Sequence, residues 1–123
     1  MGERLYEELT FKIIGIAMKV HNELGSGFLE KVYENAMMLH FEIEGIKAEQ
    51  QKEIKVKYLG KEIGHYISDI FVDEKVIVEL KTVEKLNEVH TAQLINYLKA
   101  TGIKIGLLIN FKNEKLEYKR YIF

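Results

Sequence analysis

The chain has 123 residues, a formal net charge of −1 at pH 7 and no cysteine. That length fits one domain, residues 1–123, with a buried hydrophobic core. The balanced charge excludes a global basic field for polyanions, so any nucleic-acid contact must use a local patch. Without cysteine there is no disulfide, thiolate metal site or thiol nucleophile. No secretory pattern opens the chain and no apolar run approaches the roughly 20 residues of a bilayer span, so a cytoplasmic protein with no membrane partner is expected.

Between Glu3 and Asn22 the apolar residues Leu5, Leu9, Ile13, Ile16, Ala17 and Val20 recur at three- and four-residue steps, which predicts a first helix. "ELGSG" (Glu23 to Gly27) stops it, and a second helix is expected from about Phe28 to Glu44, closed by Gly45. "KEIKVKY" and "KEIGHYISDIFV" alternate in part and meet at Gly60-Lys61, as two strands of a hairpin do. A turn at Asp73 to Lys75 leads into a third strand, "VIVELK", Val76 to Lys81. Helical spacing returns between Asn87, a plausible cap, and Thr101, before Gly102. "KIGLLINF" and "KLEYKRYIF" complete the chain as strands. The order ααβββαββ, with a meander followed by a right-handed strand–helix–strand crossover, predicts a mixed sheet flanked by helices, an α/β (α+β) architecture.

The third strand is apolar until Glu79 and Lys81 interrupt it. Strand residues alternate sides, so Ile77, Glu79 and Lys81 share one face and Val76, Val78 and Leu80 the other. A three-residue turn pairs Val72 with Val76, and counting back sets Asp69 opposite Glu79, with Cβ atoms about 4.5–5.5 Å apart. A two-residue turn would pair Glu79 with Ser68 instead. Two carboxylates so close keep their charge only with a cation between them or a shared proton. Hard oxygen donors suit Mg²⁺ or Mn²⁺, and Lys81 beside such an ion could orient or deprotonate a water and stabilise a phosphoryl transition state. The alternative is a cross-strand salt bridge on a solvated face.

Ser68-Asp69, nine intervening residues and Glu79-Leu80-Lys81 resemble the split Asp…Glu-x-Lys signature of the PD-(D/E)xK nuclease superfamily, with serine in place of the proline. "GFLEKVY" (Gly27 to Tyr33) resembles the Gly-x-x-Glu-x-x-Tyr signature of the GxxExxY family within it, and "QLINY" (Gln93 to Tyr97) is similar to the Gln-x-x-x-Tyr of its recombination-type exonucleases. The resemblance implies a restriction-endonuclease-like core and a divalent-metal-dependent nuclease acting on nucleic acid, DNA before RNA. It implies Asp69, Glu79 and the Leu80 carbonyl as metal ligands for Mg²⁺ or Mn²⁺, and Lys81 as the water-activating or charge-stabilising group. Gln93 would face the catalytic centre and Tyr97 would help position substrate phosphate. The alternative is a non-catalytic nucleic-acid-binding or protein-interaction module that keeps the fold.

Glu30 has two readings: an acid approaching the metal site, or the third helical residue after a Gly27 cap, reaching back to the cap amide. Tyr33, on the same helical face, is either a hydroxyl donor orienting that acid, and so a substrate-binding residue, or a core aromatic with a wet tip. Gln93 could equally belong to a polar stripe, and His90, a turn earlier, reads as solvent-facing. His21, His40 and His65 lie on separate segments and build no zinc site. Lys52, Lys55, Lys57, Lys61, Lys99 and Lys104 could contact phosphate but are diluted by acidic neighbours. The terminal "YKRYIF" offers aromatics that a second copy or a partner protein could cover.

Overall fold

A computed structural model describes residues 6–123. Its elements are α1 (Glu7–Leu24), α2 (Glu30–Glu44), β1 (Ala48–Tyr58), β2 (Lys61–Val72), β3 (Val76–Lys81), α3 (Glu88–Thr101), β4 (Ile105–Asn110) and β5 (Glu117–Ile122). The order is the one read from the sequence; Glu3 and Leu5 of the expected first helix lie outside the described residues. The strands form one sheet in the order β1-β2-β3-β4-β5, with β3 and β4 parallel across α3 and the other neighbours antiparallel.

Helices cover both faces. Ile13, Ile16, Ala17 and Val20 of α1 and Tyr33, Met37 and Phe41 of α2 pack on Val76, Val78, Leu80, Leu107 and Ile109. On the opposite face Leu94, Tyr97 and Leu98 of α3 pack on Ile77 and Leu108. Gly106 of β4 is what lets α3 sit so close, because a Cβ there would lie 2.8 Å from Leu94 Cδ1. Gly106→Ala is therefore expected to destabilise the fold by about 1–3 kcal/mol, read as a lower denaturant midpoint; an unchanged midpoint would mean that α3 can shift freely.

Local chemistry fixes the helix ends. The Asn87 side chain accepts from the amides of Val89 and His90, while His90 Nδ1 accepts from the Asn87 amide. His90 thus completes a capping box rather than simply facing solvent. The start of α2 differs from expectation. Leu29 is its N-cap, and Glu30 is its first rather than its third residue, so Glu30 makes no capping-box contact.

β1 begins at Ala48, four residues before the alternating run in the sequence. The reason is a turnover in the hairpin. Alternation would keep the even-numbered residues of a strand on one face. Instead Ala48 packs with α1 and α2 whereas Ile54 packs with α3, and in β2 Ile70 and Val72 pack with α1 and α2 whereas Tyr66 packs with α3. In β1 the alternation breaks at Gln51, whose φ is 51°. In β2 it breaks at Asp69, since Ser68 lines the cavity under α3 together with Phe71 and Ile77 while Ile70 faces the other way. The two breaks lie opposite each other, between the pairs Gln50↔Ile70 and Lys52↔Ser68.

Candidate functional site

The turn at Asp73 to Lys75 has the three-residue length that sets Val72 against Val76, and the β2–β3 ladder continues through Phe71↔Ile77 and Ile70↔Val78. There it stops, one step short of Asp69 and Glu79. Beyond that point the side chains replace the backbone ladder. The Asp69 amide donates to Glu79 Oε2 at 2.7 Å, and the Leu80 amide donates to Asp69 Oδ2 at 2.7 Å. The expected opposition of the two acids is present in substance, but they lie in the gap between the strands and do not stand side by side on one face. Sequence alternation could not show this, because it assumes a strand that does not turn over.

Glu79 is only 4% exposed and Asp69 is half-buried. Burial raises the Asp69 carboxyl above its ordinary value; the Leu80 amide opposes this, Glu34 and Glu30 add to it, and Lys81 lowers it. Burial first, and then the charge of Asp69, push Glu79 up to about 8, against a lowering by the Asp69 amide and Lys81. The pair is one in which a proton or a cation is needed between two acids.

Lys81 follows on the same side, and its Nζ donates to Gln93 Oε1 of α3 at 3.2 Å. Gln93 therefore does reach the cluster, as a partner of Lys81. Tyr97, one turn further along α3, is 5% exposed, and its ring lies 5.1 Å from that of Tyr66. Its hydroxyl is pushed up to about 12 by burial and by the charges of Glu79 and Asp69, with Gln93 opposing as a hydrogen-bond partner.

From the other side, α2 contributes its first turns. Glu30 Oε2 accepts from the Thr82 amide at 3.2 Å and from Thr82 Oγ1 at 3.4 Å, which ties the start of α2 to the end of β3. Tyr33 takes the core alternative. It is fully buried, its ring stacks on Phe111 at 4.4 Å, and its hydroxyl donates to the Gly25 carbonyl and accepts from the Phe28 amide. That hydroxyl braces the α1–α2 connection and does not reach the acids' gap. Glu34, four residues after Glu30, is the residue that the sequence reading missed. It is 3% exposed and lies near enough to Asp69 to raise that group's affinity for a proton. Its signal in the sequence was its (i, i+4) spacing from Glu30 on a helix that otherwise buries apolar residues.

The donor set fits a hard divalent cation. Asp69 and Glu79 each turn one carboxyl oxygen to an amide, their carboxyl groups also lie within hydrogen-bonding reach of each other, and their mutual repulsion is the charge that a cation relieves. Among the described residues, no group of three or more histidine, aspartate and glutamate side chains forms a metal cage. Two carboxylates and a backbone carbonyl suit Mg²⁺ or Mn²⁺, which retain several waters. Of the lysines weighed as phosphate contacts, Lys55, Lys57, Lys61, Lys99 and Lys104 are exposed, and Lys52 pairs with Glu49 at 3.4 Å.

The raised Glu79 acid gives stability a pH dependence. Below its ordinary value of 4.5 both folded and unfolded chains hold the proton; between 4.5 and about 8 the folded chain binds a proton that the unfolded chain has lost. The contribution is thus fully present below 4.5 and is lost as pH rises through about 8. The metal-free melting temperature of wild type is expected to fall across that window relative to Glu79→Gln, and Mn²⁺ is expected to reverse the fall by replacing the proton. Parallel pH profiles for the two proteins would refute the assignment.

A family model described as the PD-(D/E)XK nuclease superfamily matches residues 7–121. No curated protein matches the chain. The crystal structure of SSO0001 is similar, with a TM-score of 0.59 at 17% identity over 75% of this chain and 48% of that one. The chain thus spans about half the length of that protein, and the likeness concerns the fold: a mixed five-stranded sheet flanked by helices. Among the described residues, no helix is long and apolar enough to cross a membrane.

Proposed function

The chain belongs to the PD-(D/E)XK nuclease superfamily, and from that premise we propose that it is a nuclease dependent on Mg²⁺ or Mn²⁺ that hydrolyses phosphodiester bonds in DNA. The observation that carries this reading is the reciprocal stitching of Asp69 and Glu79 through each other's strand amides, with Lys81 beside them. Buried like charges cost stability, and such costly arrangements cluster at functional sites. Within the superfamily we assign the chain to the GxxExxY group, on Gly27, Glu30 and Tyr33.

Asp69, Glu79 and the Leu80 carbonyl would hold the ion. When bound, a divalent ion supplies a water of lowered pKa and neutralises charge developing on the phosphoryl group. Lys81 would stabilise the phosphoryl oxygens as its ammonium or, in its neutral amine form, take a proton from the attacking water, and Gln93, which accepts a hydrogen bond from its Nζ, fixes its direction. The buried Tyr97 hydroxyl stays protonated at neutral pH and can donate to a phosphate oxygen. Glu30 holds Thr82 at the mouth of the gap.

With little net charge, substrate binding is aided by a second copy or a partner protein, for which the exposed Tyr118, Ile122 and Phe123 of the C-terminal strand region are the candidate surface. The test is cleavage of labelled single-stranded, duplex, flapped and branched DNAs and RNAs with Mg²⁺, with Mn²⁺ and with chelator, the oligomeric state being followed by sedimentation. Metal-dependent DNA cleavage is the expected result. Failure on every substrate, together with no Mn²⁺ binding by calorimetry, would favour the non-catalytic binding module instead.

A further inference from the structure

We propose that Glu34 is a positioning residue that holds the turnover of β1 and β2 and thereby places Asp69 in the gap between β2 and β3. The proposal takes from the nuclease reading only the chemistry that Asp69 serves. Its geometry stands independently.

Glu34 receives three donors. Gln50 Nε2 reaches its Oε2 at 2.6 Å, Gln51 Nε2 reaches its Oε1 at 2.9 Å, and Lys31 Nζ reaches Oε2 at 3.0 Å. Gln50 and Gln51 are consecutive residues of β1, and consecutive strand residues send their side chains to opposite faces. Here both converge on one carboxyl group of α2. The left-handed backbone of Gln51, φ 51°, is what allows it. Inside a strand a non-glycine residue seldom holds such a conformation without support from its surroundings, and the grip of Glu34 on both glutamines supplies it.

Across the hairpin Gln51 and Asp69 both fall between the pairs Gln50↔Ile70 and Lys52↔Ser68. The register runs on unchanged across this point, with no residue inserted on either strand, so the break at Gln51 and the break at Asp69 are a single event. That event takes the Asp69 side chain off the sheet face and brings Oδ2 to 2.7 Å from the Leu80 amide. Released from Glu34, Gln51 would relax toward extended geometry, and Asp69 would swing back to a sheet face, taking Oδ2 off the Leu80 amide.

The experiment measures amide hydrogen exchange at Leu80 and Asp69, alongside Mn²⁺ titration by calorimetry, in wild type, Glu34→Ala, Glu34→Gln and the double variant Glu34→Ala with Gln51→Gly. In Glu34→Ala both amides are expected to exchange about tenfold faster or more while Leu107 in the core keeps its protection. Mn²⁺ affinity is expected to fall roughly 10- to 100-fold. Adding Gln51→Gly is expected to restore both readouts, because glycine adopts positive φ without a clamp. A residue that merely stabilised the fold would show no such rescue. Unchanged Leu80 exchange in Glu34→Ala overturns the proposal, as does a folded double variant without recovery. If Glu34→Ala does not fold, Glu34→Gln decides: faster Leu80 exchange than wild type supports the clamp, and equal exchange refutes it. If Leu80 exchange responds as expected but even wild type fails to bind Mn²⁺, the positioning role stands and the metal-nuclease reading fails.

Discussion

Asp69→Asn is expected to abolish Mn²⁺ binding, to reduce metal-dependent cleavage by roughly 1,000-fold or more, and yet to raise the melting temperature of the metal-free protein. The three effects share one cause. Asparagine keeps a carbonyl oxygen to accept the Leu80 amide at the position where Asp69 Oδ2 now stands, so the strands stay joined. It removes the charge that, after burial, adds to the rise of Glu79 to about 8, so the repulsion between the two acids disappears and the cation loses a ligand. Such an exchange of activity for stability is the signature of a strained functional site. Asp69→Ala makes an informative contrast. It removes the charge and also leaves the buried Leu80 amide unpaired, at a cost of about 1–3 kcal/mol, so its melting temperature should fall below that of Asp69→Asn. Calorimetry with Mn²⁺ and thermal melts of both variants provide the check. An asparagine variant that still binds Mn²⁺ and cleaves would remove Asp69 from the site.

Lys81→Met should separate binding from turnover. Methionine retains the apolar stem but not the ammonium, so kcat is expected to drop roughly 100- to 1,000-fold with KM little changed. Mn²⁺ affinity should hold or tighten, because the ammonium that now competes with the ion for Asp69 and Glu79 is gone. Gln93→Ala, which frees Lys81 from its 3.2 Å hydrogen bond, should show a smaller drop of the same kind. Lys81→Arg is expected to rescue poorly, since a planar guanidinium cannot give up a proton and carries its charge further out. A Lys81→Met variant that loses Mn²⁺ affinity in step with kcat would instead make Lys81 a structural neighbour of the carboxylates.

The architecture could be read from the sequence because its signals were local. The spacing of Ile13, Ile16, Ala17 and Val20 gave α1, the three-residue turn at Asp73 to Lys75 gave the β2–β3 register, and the break in "VIVELK" located the acids. What stayed hidden was non-local. Glu34 looks like an ordinary polar helix residue until Gln50 and Gln51 fold against it, and the early part of β1 was missed because those glutamines interrupt its alternation. Of the two readings of Glu30, the capping one rests on Gly27 as the cap, whereas the cap is the extended Leu29 and Glu30 reaches Thr82. Tyr33 matched the sequence signature, but its burial against Phe111 depends on β4 and its following turn, far along the chain.

The short β2–β3 ladder bears on how such a chain can decay. Because Asp69 and Glu79 close the seam that the backbone leaves open, mutational drift cannot erase the chemistry at these two positions without also unpicking the architecture, unless each acid is exchanged for its own amide. A descendant that had lost its activity would therefore be expected to carry asparagine or glutamine at these two places, and a survey of diverged copies for such neutralised pairs would separate retired enzymes from working ones.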